Sequence, residues 1–314
     1  MRTKLISLLV VSALSVMSLA ACSTGGDSSS AGTSSAATTT AAATTTAAET
    51  SKAGVTGEIS VISREDGSGT RGAFIELLGI EEKNADGSKV DKTTKEADIA
   101  NKTDVMMTMV GSNPQAIGYI SLGSLNETVK ALKVDGVEAT VENIKSKTYK
   151  VSRPFNIAVK GEASGLTKDF MNFIMSKEGQ AVITENKYIA IDDAAAAFAS
   201  DNSTGKIVIT GSSSVTPVME KLVEAYKAIN TGAEIEIQQS DSSAGMKDAM
   251  SGTCDIGMAS RELKDTELAE LTPTVIAMDG IAVIVNNENT LEDISSEAIK
   301  NIYIGDVTEW EDVQ

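Results

Sequence analysis

The chain has 314 residues, of which 41% are hydrophobic and only 4% aromatic, and its formal net charge at pH 7 is -17. Few side chains can stack on bases or sugar rings, and the negative charge opposes binding to nucleic acids and anionic membrane surfaces. Any bound anion must therefore be held by local donors rather than by long-range attraction. The length allows one large domain or two ordinary ones, and we expect two lobes.

The first residues have the pattern of an export signal. A basic stretch, 1–4, precedes an apolar run, 5–21, that is too short and too rich in small residues for a membrane span. The run ends in Leu-Ala-Ala-Cys, which resembles the bacterial lipobox; an ordinary signal peptide is the alternative. We therefore predict residues 1–21 as a lipoprotein signal peptide, with Cys22 lipidated and the protein extracytoplasmic, anchored to the bacterial cell membrane by its lipid.

Two segments of low complexity divide the rest of the chain. Residues 22–56 are almost entirely Ser, Thr, Ala and Gly, and predict a disordered tether. A weaker stretch, 192–205, separates two segments of ordinary globular composition and predicts a connector within the folded region. Cys22 and Cys254 are the two cysteines of the sequence. With Cys22 lipidated, we predict that the mature chain has no disulfide and that Cys254 is a small, buried, hydrophobic side chain.

A strand, a loop of small residues and a helix follow one another three times. The first unit has a strand at 58–63, a loop at 64–70 and a helix through Phe74, Leu77 and Leu78. The second has a strand at 206–210, a loop at 211–216 and a helix opened by Pro217, with Leu222, Tyr226 and Ile229 on one face. The third has a strand at 235–239, a loop at 240–243 and a helix at 244–250. This alternation predicts an α/β protein with parallel sheets.

Each of these loops brings Gly, Ser or Thr to the start of a helix, where unpaired N–H groups and the helix dipole favour an anion. Glycine lets the backbone approach closely, and hydroxyl groups rotate to match a tetrahedral oxyanion. Arg64 is the candidate cation, because a guanidinium binds two oxygens at once. Taken singly, such a loop is more typical of an ordinary helix N-cap, and such an arginine of a solvated surface charge.

Whole segments carry a more specific signal. They are Ile62–Phe74, Ile209–Pro217, Ser242–Gly245 and Asp255–Leu263, with further matches at 116–122, 152–154, 176–180 and 279–286. These segments resemble the periplasmic phosphate-binding proteins of the ABC-type phosphate transporter, and the resemblance covers nearly everything from Gly57 to Val313. It implies an α/β, two-lobed periplasmic-binding-protein-like fold of type II, with the anion site in the interlobe cleft. It also implies inorganic phosphate as ligand and the transporter's permease subunits as partners.

The resemblance further implies the ligand contacts, position by position. They are Arg64, Ser68, Gly69 and Thr70 in the first loop, Val215 and Thr216 with Ser214 adjacent in the second, and Ser242 in the third. Val215 and Thr216 would contact the ligand through their backbone N–H groups.

One position departs from the family pattern. Well-known members have an aspartate that accepts the proton of the ligand where this chain has Ser260, which puts discrimination against sulfate in doubt. We include Ser260 and Asp66 among the candidate binding residues, because Asp66 or Asp241 could accept the proton instead. The simpler interpretations are that Asp66 orients Arg64 by a salt bridge and that Asp241 caps a turn.

The order of the segments is exchanged relative to the family, in which the part resembling 206–313 comes first and the part resembling 57–191 second. We predict a circular permutation, with 192–205 joining the ancestral ends and new ends after Trp310. The alternative is a pair of fused gene fragments that do not fold. The prediction gives lobe A as 155–277 and lobe B as 57–154 plus 278–314, with crossovers at 152–154 and 279–280.

Three classes of function remain open at this stage. The first is a monomeric receptor that delivers phosphate to a permease, or a receptor for another oxyanion such as sulfate or molybdate. The second is a phosphate-ester enzyme, and the third a surface sensor or adhesin. The chain has no histidine, which removes the commonest general base and metal ligand. A metal site could use only carboxylates, of which the candidates are Asp66, Asp241, Asp255 and Asp279. We therefore expect no enzyme activity, no catalytic residue, no cofactor and no metal.

Overall fold

The computed structural model describes residues 54–84 and 88–313. The predicted signal peptide, the lipidation site at Cys22 and most of the predicted tether lie outside these residues. Within them, no helix has the length and apolar character needed to cross a membrane.

Fourteen strands and nine helices are described, in the following order. The first part of the chain contains β1 (Ser60–Arg64), α1 (Gly69–Leu77), β2 (Glu81–Lys83), β3 (Lys89–Asp91), β4 (Asp98–Ala100), α2 (Thr103–Ser112), β5 (Ala116–Ser121), β6 (Lys130–Ala131), β7 (Lys133–Val134) and α3 (Val141–Lys145). The middle part contains β8 (Ser152–Lys160), α4 (Gly165–Ile174), α5 (Lys177–Glu185), β9 (Ile189–Ala190), β10 (Gly205–Ser212), α6 (Thr216–Ile229), β11 (Ala233–Ser240) and α7 (Ser242–Ser251). The last part contains β12 (Ile256–Ala259), α8 (Asp265–Leu268), β13 (Leu271–Val285), β14 (Asp293–Ile294) and α9 (Ser296–Ile304).

The main sheet is mixed. Its strands follow the order β11-β10-β12-β8-β13-β5-β1-β4, while β6 and β9 pair with β13 beside this path. Strand β10 is parallel to β11 and β12, and β1 is parallel to β4 and β5, as the strand–loop–helix units predict. Strands β8 and β13 are antiparallel to their neighbours, so the prediction of parallel sheets is wrong for the centre.

Strand β13 joins two halves of this sheet. Residues 271–280 pair with β8, and residues 281–285 pair with β5. One hydrophobic core is built from buried residues in 59–151 and 281–310 together with Ile189, and a second from buried residues in 155–277. We call the part around the first core lobe B and the part around the second core lobe A. At the junction Arg153 pairs with Asp279 and Ser152 with Gly280, so the predicted crossover residues face each other.

The three predicted units form, with shifted boundaries. Arg64 ends β1 rather than opening the loop, and α1, α6 and α7 begin early enough to include Gly69, Thr216 and Ser242 in their first turns. In α6, Leu222 and Tyr226 are fully buried, but Ile229 is 50% exposed because it is the last residue of the helix. Cys254 is buried, as predicted, and its sulfur accepts a hydrogen bond from Thr210 Oγ1 at 3.3 Å.

The first and last described parts of the chain meet on lobe B. The N–H of Trp310 donates to the carbonyl of Gly57 at 3.0 Å, and Glu58 forms an antiparallel bridge with Glu309. The segment 192–205 crosses the surface of lobe A without a helix or strand until Gly205 begins β10. It is fixed to α4 and α5, where Ser200 donates to Asp169 at 2.7 Å and the Phe198 N–H donates to Glu178 at 2.7 Å.

Candidate functional site

The three small-residue loops meet between the lobes. They lie at the carboxyl ends of β1, β10 and β11, and the end of β12 joins them, at the edge where ligands bind in open α/β sheets. The predicted residues brought together there are buried: Arg64, Ser68, Gly69, Thr70, Ser214, Val215, Thr216, Ser242 and Ser260. We call the side-chain cluster formed by Arg64, Thr70, Thr103, Ser212, Ser213, Ser214, Ser242 and Ser260 the cradle.

Arg64 enters the cradle from lobe B, and its orientation is fixed on several sides. Its Nε and Nη2 donate to the two carboxylate oxygens of Glu65 at 2.7 and 2.8 Å. Its backbone N–H donates to the hydroxyl of Tyr119 at 3.1 Å, and its carbonyl accepts from Arg71 Nη1 at 2.7 Å. Nη2 also donates to Ser213 Oγ at 3.0 Å, across the gap between the lobes. The guanidinium is thus preorganised by Glu65 and presented to lobe A.

Hydroxyl groups from both lobes surround this guanidinium. Thr70 Oγ1 and Ser214 Oγ are 2.8 Å apart. Thr103 Oγ1 lies 3.4 Å from Arg64 Nη1 and 3.3 Å from both Ser213 Oγ and Ser214 Oγ. Because each hydroxyl can donate and accept, this group can adjust its hydrogen bonds to the charge and protonation of an oxyanion.

A second group of hydroxyls lies on lobe A. Ser212 Oγ donates to Ser260 Oγ at 2.9 Å, and the Ser260 N–H donates to Ser242 Oγ at 3.1 Å. Gly69 of α1 packs directly against it: a Cβ at this position would come within 2.7 Å of Ser260 Oγ and 3.0 Å of the Ser260 carbonyl carbon. The close approach of lobe B to lobe A therefore requires glycine at position 69.

Three of the predicted contacts already form hydrogen bonds with other partners. The N–H of Val215 donates to the carbonyl of Ser212 at 3.0 Å, and its side chain is part of the second core, so its predicted backbone donor is not available in this structure. Thr216 Oγ1 donates to the same carbonyl at 3.1 Å, which leaves the backbone of Thr216 as its possible donor. Ser68 caps α1, accepting from the Arg71 N–H at 3.3 Å, as the ordinary N-cap interpretation requires.

The acidic residues lie differently from the prediction. The side chain of Asp66 is fully exposed and its Oδ1 is 3.3 Å from Arg71, so Asp66 neither lies in the cradle nor orients Arg64. Glu65 orients Arg64 instead. The backbone turns after β1, so that the Glu65 side chain contacts the guanidinium while the Asp66 side chain faces solvent. Asp241 caps α7, accepting from the Ala244 N–H at 2.8 Å. Among the described residues, no group of three or more acidic or cysteine side chains could hold a metal ion.

Three cradle residues, Thr103, Ser212 and Ser213, were not predicted as contacts, and neither was Glu65, which binds Arg64 beside the cradle. Glu65, Ser212 and Ser213 lie inside the predicted loops, close to residues that were named, so a count of loop polar groups could have included them. Thr103 begins α2, after Lys102, where no loop of small residues precedes the helix. A search for loops of small residues could not find it, and the packing of α2 against β1 and β5 brings it to the cradle.

Comparison with known proteins supports the family resemblance found in the sequence. The model of the PBP superfamily domain matches residues 32–178 and 196–314. The chain is 56% identical over 259 residues to phosphate-binding protein PstS 2 of Streptococcus agalactiae, covering 82% of this chain and 88% of that protein. The crystal structure of a phosphate-binding protein of a phosphate ABC transporter from Streptococcus pneumoniae matches 82% of this chain and all of its own, with 46% identity and a TM-score of 0.66. A phosphate-binding protein PstS of Bacillus subtilis is 28% identical over 138 residues, 43% of each chain.

Proposed function

The chain belongs to the PBP superfamily and, within it, to the family of PstS phosphate-binding proteins, and from this membership we propose that it binds inorganic phosphate outside the cytoplasm and delivers it to the permease of an ABC transporter. The observation that carries the proposal is the buried cradle between the lobes, in which Arg64 is surrounded by serine and threonine hydroxyls. The protein acts as a monomeric receptor rather than as an enzyme.

The cradle can hold an oxyanion despite the negative charge of the chain. Arg64 supplies the cation, and the hydroxyls supply neutral donors. The first turns of α1 and α7 add the backbone N–H groups of Gly69, Thr70 and Ser242, because the N–H groups that follow them are already hydrogen-bonded. Hydrogen bonds to a charged group contribute about 1.5–3 kcal/mol each, so several preorganised ones are enough for micromolar binding.

We propose that a hydroxyl of the cradle accepts a hydrogen bond from the protonated oxygen of the ligand. Glu65 is the carboxylate bonded to Arg64, and both of its oxygens already accept from that guanidinium. Ser260 occupies the position of the family's aspartate, and its Oγ lies among Ser212 and Ser242. A hydroxyl repels sulfate less than a carboxylate does, so discrimination between phosphate and sulfate should be weaker than in family members with the aspartate.

Circular permutation is the second part of the proposal, with lobe A at 155–277, lobe B at 57–154 plus 278–314, and 192–205 as the connector. Two observations support it. Gly57 and Trp310 are hydrogen-bonded neighbours, as new ends opened in one loop must be. The match to the Bacillus subtilis protein covers less than half of either chain, which is what exchanged halves give in a collinear alignment.

The remaining part concerns location. We propose that the protein is a lipoprotein, anchored by lipid on Cys22 and separated from its anchor by a Ser/Thr/Ala tether. The support is the sequence pattern at residues 1–22. Replacement of Cys22 by alanine should release the protein from membranes without changing phosphate affinity. Continued membrane association of that variant would contradict lipid anchoring.

Isothermal titration calorimetry of residues 54–314 with phosphate, sulfate and molybdate tests the main proposal. We expect one phosphate per chain with micromolar or tighter affinity. Tighter binding of sulfate or molybdate than of phosphate would assign the receptor to another oxyanion. A phosphatase assay with and without magnesium tests the enzyme alternative, and turnover that is lost with Arg64→Ala would overturn the assignment as a receptor.

A further inference from the structure

The strands that cross between the lobes carry a buried ion pair at their junction. Arg153 of β8 faces Asp279 of β13, with Nη2 3.1 Å from Oδ2, and the two side chains are 2% and 0% exposed. Asp279 Oδ1 also accepts from Ser121 Oγ of β5 at 3.0 Å. The carboxylate is therefore bonded to a strand of lobe B as well as to the crossover strand β8.

The other branch of the Arg153 guanidinium reaches the cradle. Its Nη1 donates to the carbonyl of Ser260 at 3.1 Å. The N–H of the same residue donates to Ser242 Oγ, and its hydroxyl accepts from Ser212. Arg153, at the junction of the lobes, thus fixes the backbone of Ser260, a cradle residue.

Stability alone is a weak reason for such a pair. Removing two charges from water costs several kcal/mol per ion, and apolar residues of similar volume are often as stable or more so. Burial raises the pKa of Asp279, while the contacts with Arg153 and Ser121 favour its ionised form. The guanidinium offers what apolar residues cannot: two donors in a fixed plane, one for the carboxylate and one for the carbonyl.

We propose that Arg153 is a positioning residue for the bound oxyanion, which holds Ser260 in the cradle, and that Asp279 and Ser121 tie this position to lobe B. The inference rests on the proposed function, since it assigns a role at the same anion site. The link is complete when the lobes are together, so its loss accelerates phosphate release more than it slows phosphate binding. The expected coupling is about tenfold in affinity, within the roughly 5- to 150-fold range typical of coupled sites.

Two variants of the full-length chain test the link. Arg153→Lys keeps the charge but replaces the planar fork with a single ammonium group. The double variant Arg153→Met with Asp279→Leu removes both charges together, so that no unpaired charge is buried and the fold is retained. The matched control is Asp169→Asn, which alters a buried, hydrogen-bonded carboxylate inside lobe A, bonded to Tyr226 and to Ser200. Calorimetry gives the phosphate affinity, stopped-flow fluorescence of Trp310 or of an attached dye gives the release rate, and urea unfolding gives the stability.

We expect both Arg153 variants to bind phosphate about tenfold more weakly than the wild type, with most of the change in the release rate, while Asp169→Asn loses stability without losing affinity. The inference would be overturned by an Arg153 variant that binds phosphate as tightly as the wild type and is no more resistant to urea than the wild type. That result would leave the proposed function intact. Failure of the wild-type chain itself to bind phosphate would instead contradict the proposed function.

Discussion

Arg64 of lobe B donates a 3.0 Å hydrogen bond to Ser213 of lobe A, so the candidate cation of the anion site also bridges the two lobes. The same nitrogen donates to Glu65, which keeps the guanidinium aimed across the gap. An anion that binds between these residues would complete a network that already spans both lobes. We therefore expect phosphate binding and the contact between the lobes to depend on the same side chain.

Arg64→Ala should weaken phosphate binding by at least about 100-fold, because two charge-assisted hydrogen bonds of about 1.5 kcal/mol or more are lost. The control is Lys206→Ala, which removes the same charge from the exposed start of β10, where Lys206 pairs with Glu234 and Glu236. Calorimetry should find nearly unchanged affinity in the control. Equal affinities in both variants would mean that the anion site lies elsewhere.

Gly69→Ala should block the approach of the lobes, because the added Cβ would lie 2.7 Å from Ser260 Oγ. The control is on the same helix: a Cβ at Gly72 would have Arg261 Cδ as its nearest neighbour at 3.8 Å, which is ordinary contact. Gly72→Ala should leave affinity unchanged and add up to about 1 kcal/mol of stability through helix propensity. We expect at least a tenfold loss of phosphate affinity for Gly69→Ala, with cooperative unfolding retained. If calorimetry finds the two variants alike, the close packing at Gly69 is not part of the binding conformation.

Thr103 tests the part of the cradle that the sequence did not reveal. Thr103→Val keeps the shape but removes the hydroxyl beside Arg64, Ser213 and Ser214, and should weaken phosphate binding by about tenfold. Thr103→Ser should restore most of the affinity, since it returns the hydroxyl. Thr108→Val, on the exposed face of α2, is the control and should bind phosphate as the wild type does. Failure of serine to rescue binding would show that the hydroxyl is not what matters.

Site residues could be predicted from the sequence where they lie together in one continuous segment, and could not where distant segments bring them together. The loops before α1, α6 and α7 are continuous in sequence, so their residues could be named in advance. Thr103 and the Arg153–Ser260 contact depend on elements that meet only after the sheet has formed. The choice of Glu65 over Asp66 as partner of Arg64 depends on the direction of one turn, which neighbouring acidic residues cannot reveal.

The same distinction applies to the fold. Units with their own crossover helix, such as β10, α6 and β11, could be predicted together with their parallel pairing. The antiparallel β8 and β13 could not, because neither is part of a repeated strand–loop–helix pattern and their pairing joins residues 152–160 to 271–280. Ile229 was assigned to the apolar face of α6 by its spacing, but the helix ends there and leaves it exposed.

Asp169 should make the stability of lobe A depend on pH. Burial favours its neutral form, but hydrogen bonds from Tyr226, the Asp201 N–H and Ser200 outweigh this effect and lower the pKa of Asp169. A lowered folded-state pKa gives stability that is present above the unfolded value of 3.8 and lost as the pH falls through the folded value.

Asp169→Asn should therefore lower the free energy of unfolding by about 3 kcal/mol at pH 7, and by about 1 kcal/mol less than that at pH 3, where the unfolded carboxylate is largely protonated. Urea unfolding at both pH values measures this, with the exposed Asp98→Asn as control. A difference between wild type and Asp169→Asn that does not shrink in acid would contradict the assignment.

The proposed circular permutation predicts that the chain can be returned to the family order without loss of function. Because Gly57 and Trp310 are hydrogen-bonded, a short Gly/Ser linker from Val313 to Gly57 can close the present ends. New ends should open between Asn202 and Ser203, which are exposed or half-buried and lie in a segment without helix or strand. Opening there keeps Ser200 and Asp201 on the same side as their partner Asp169. The rebuilt chain, 203–313 followed by the linker and 57–202, should unfold cooperatively and bind phosphate within a few-fold of the natural order, as measured by calorimetry. A rebuilt chain that folds but has lost phosphate binding would refute the permutation, since the cradle would then depend on the present chain order.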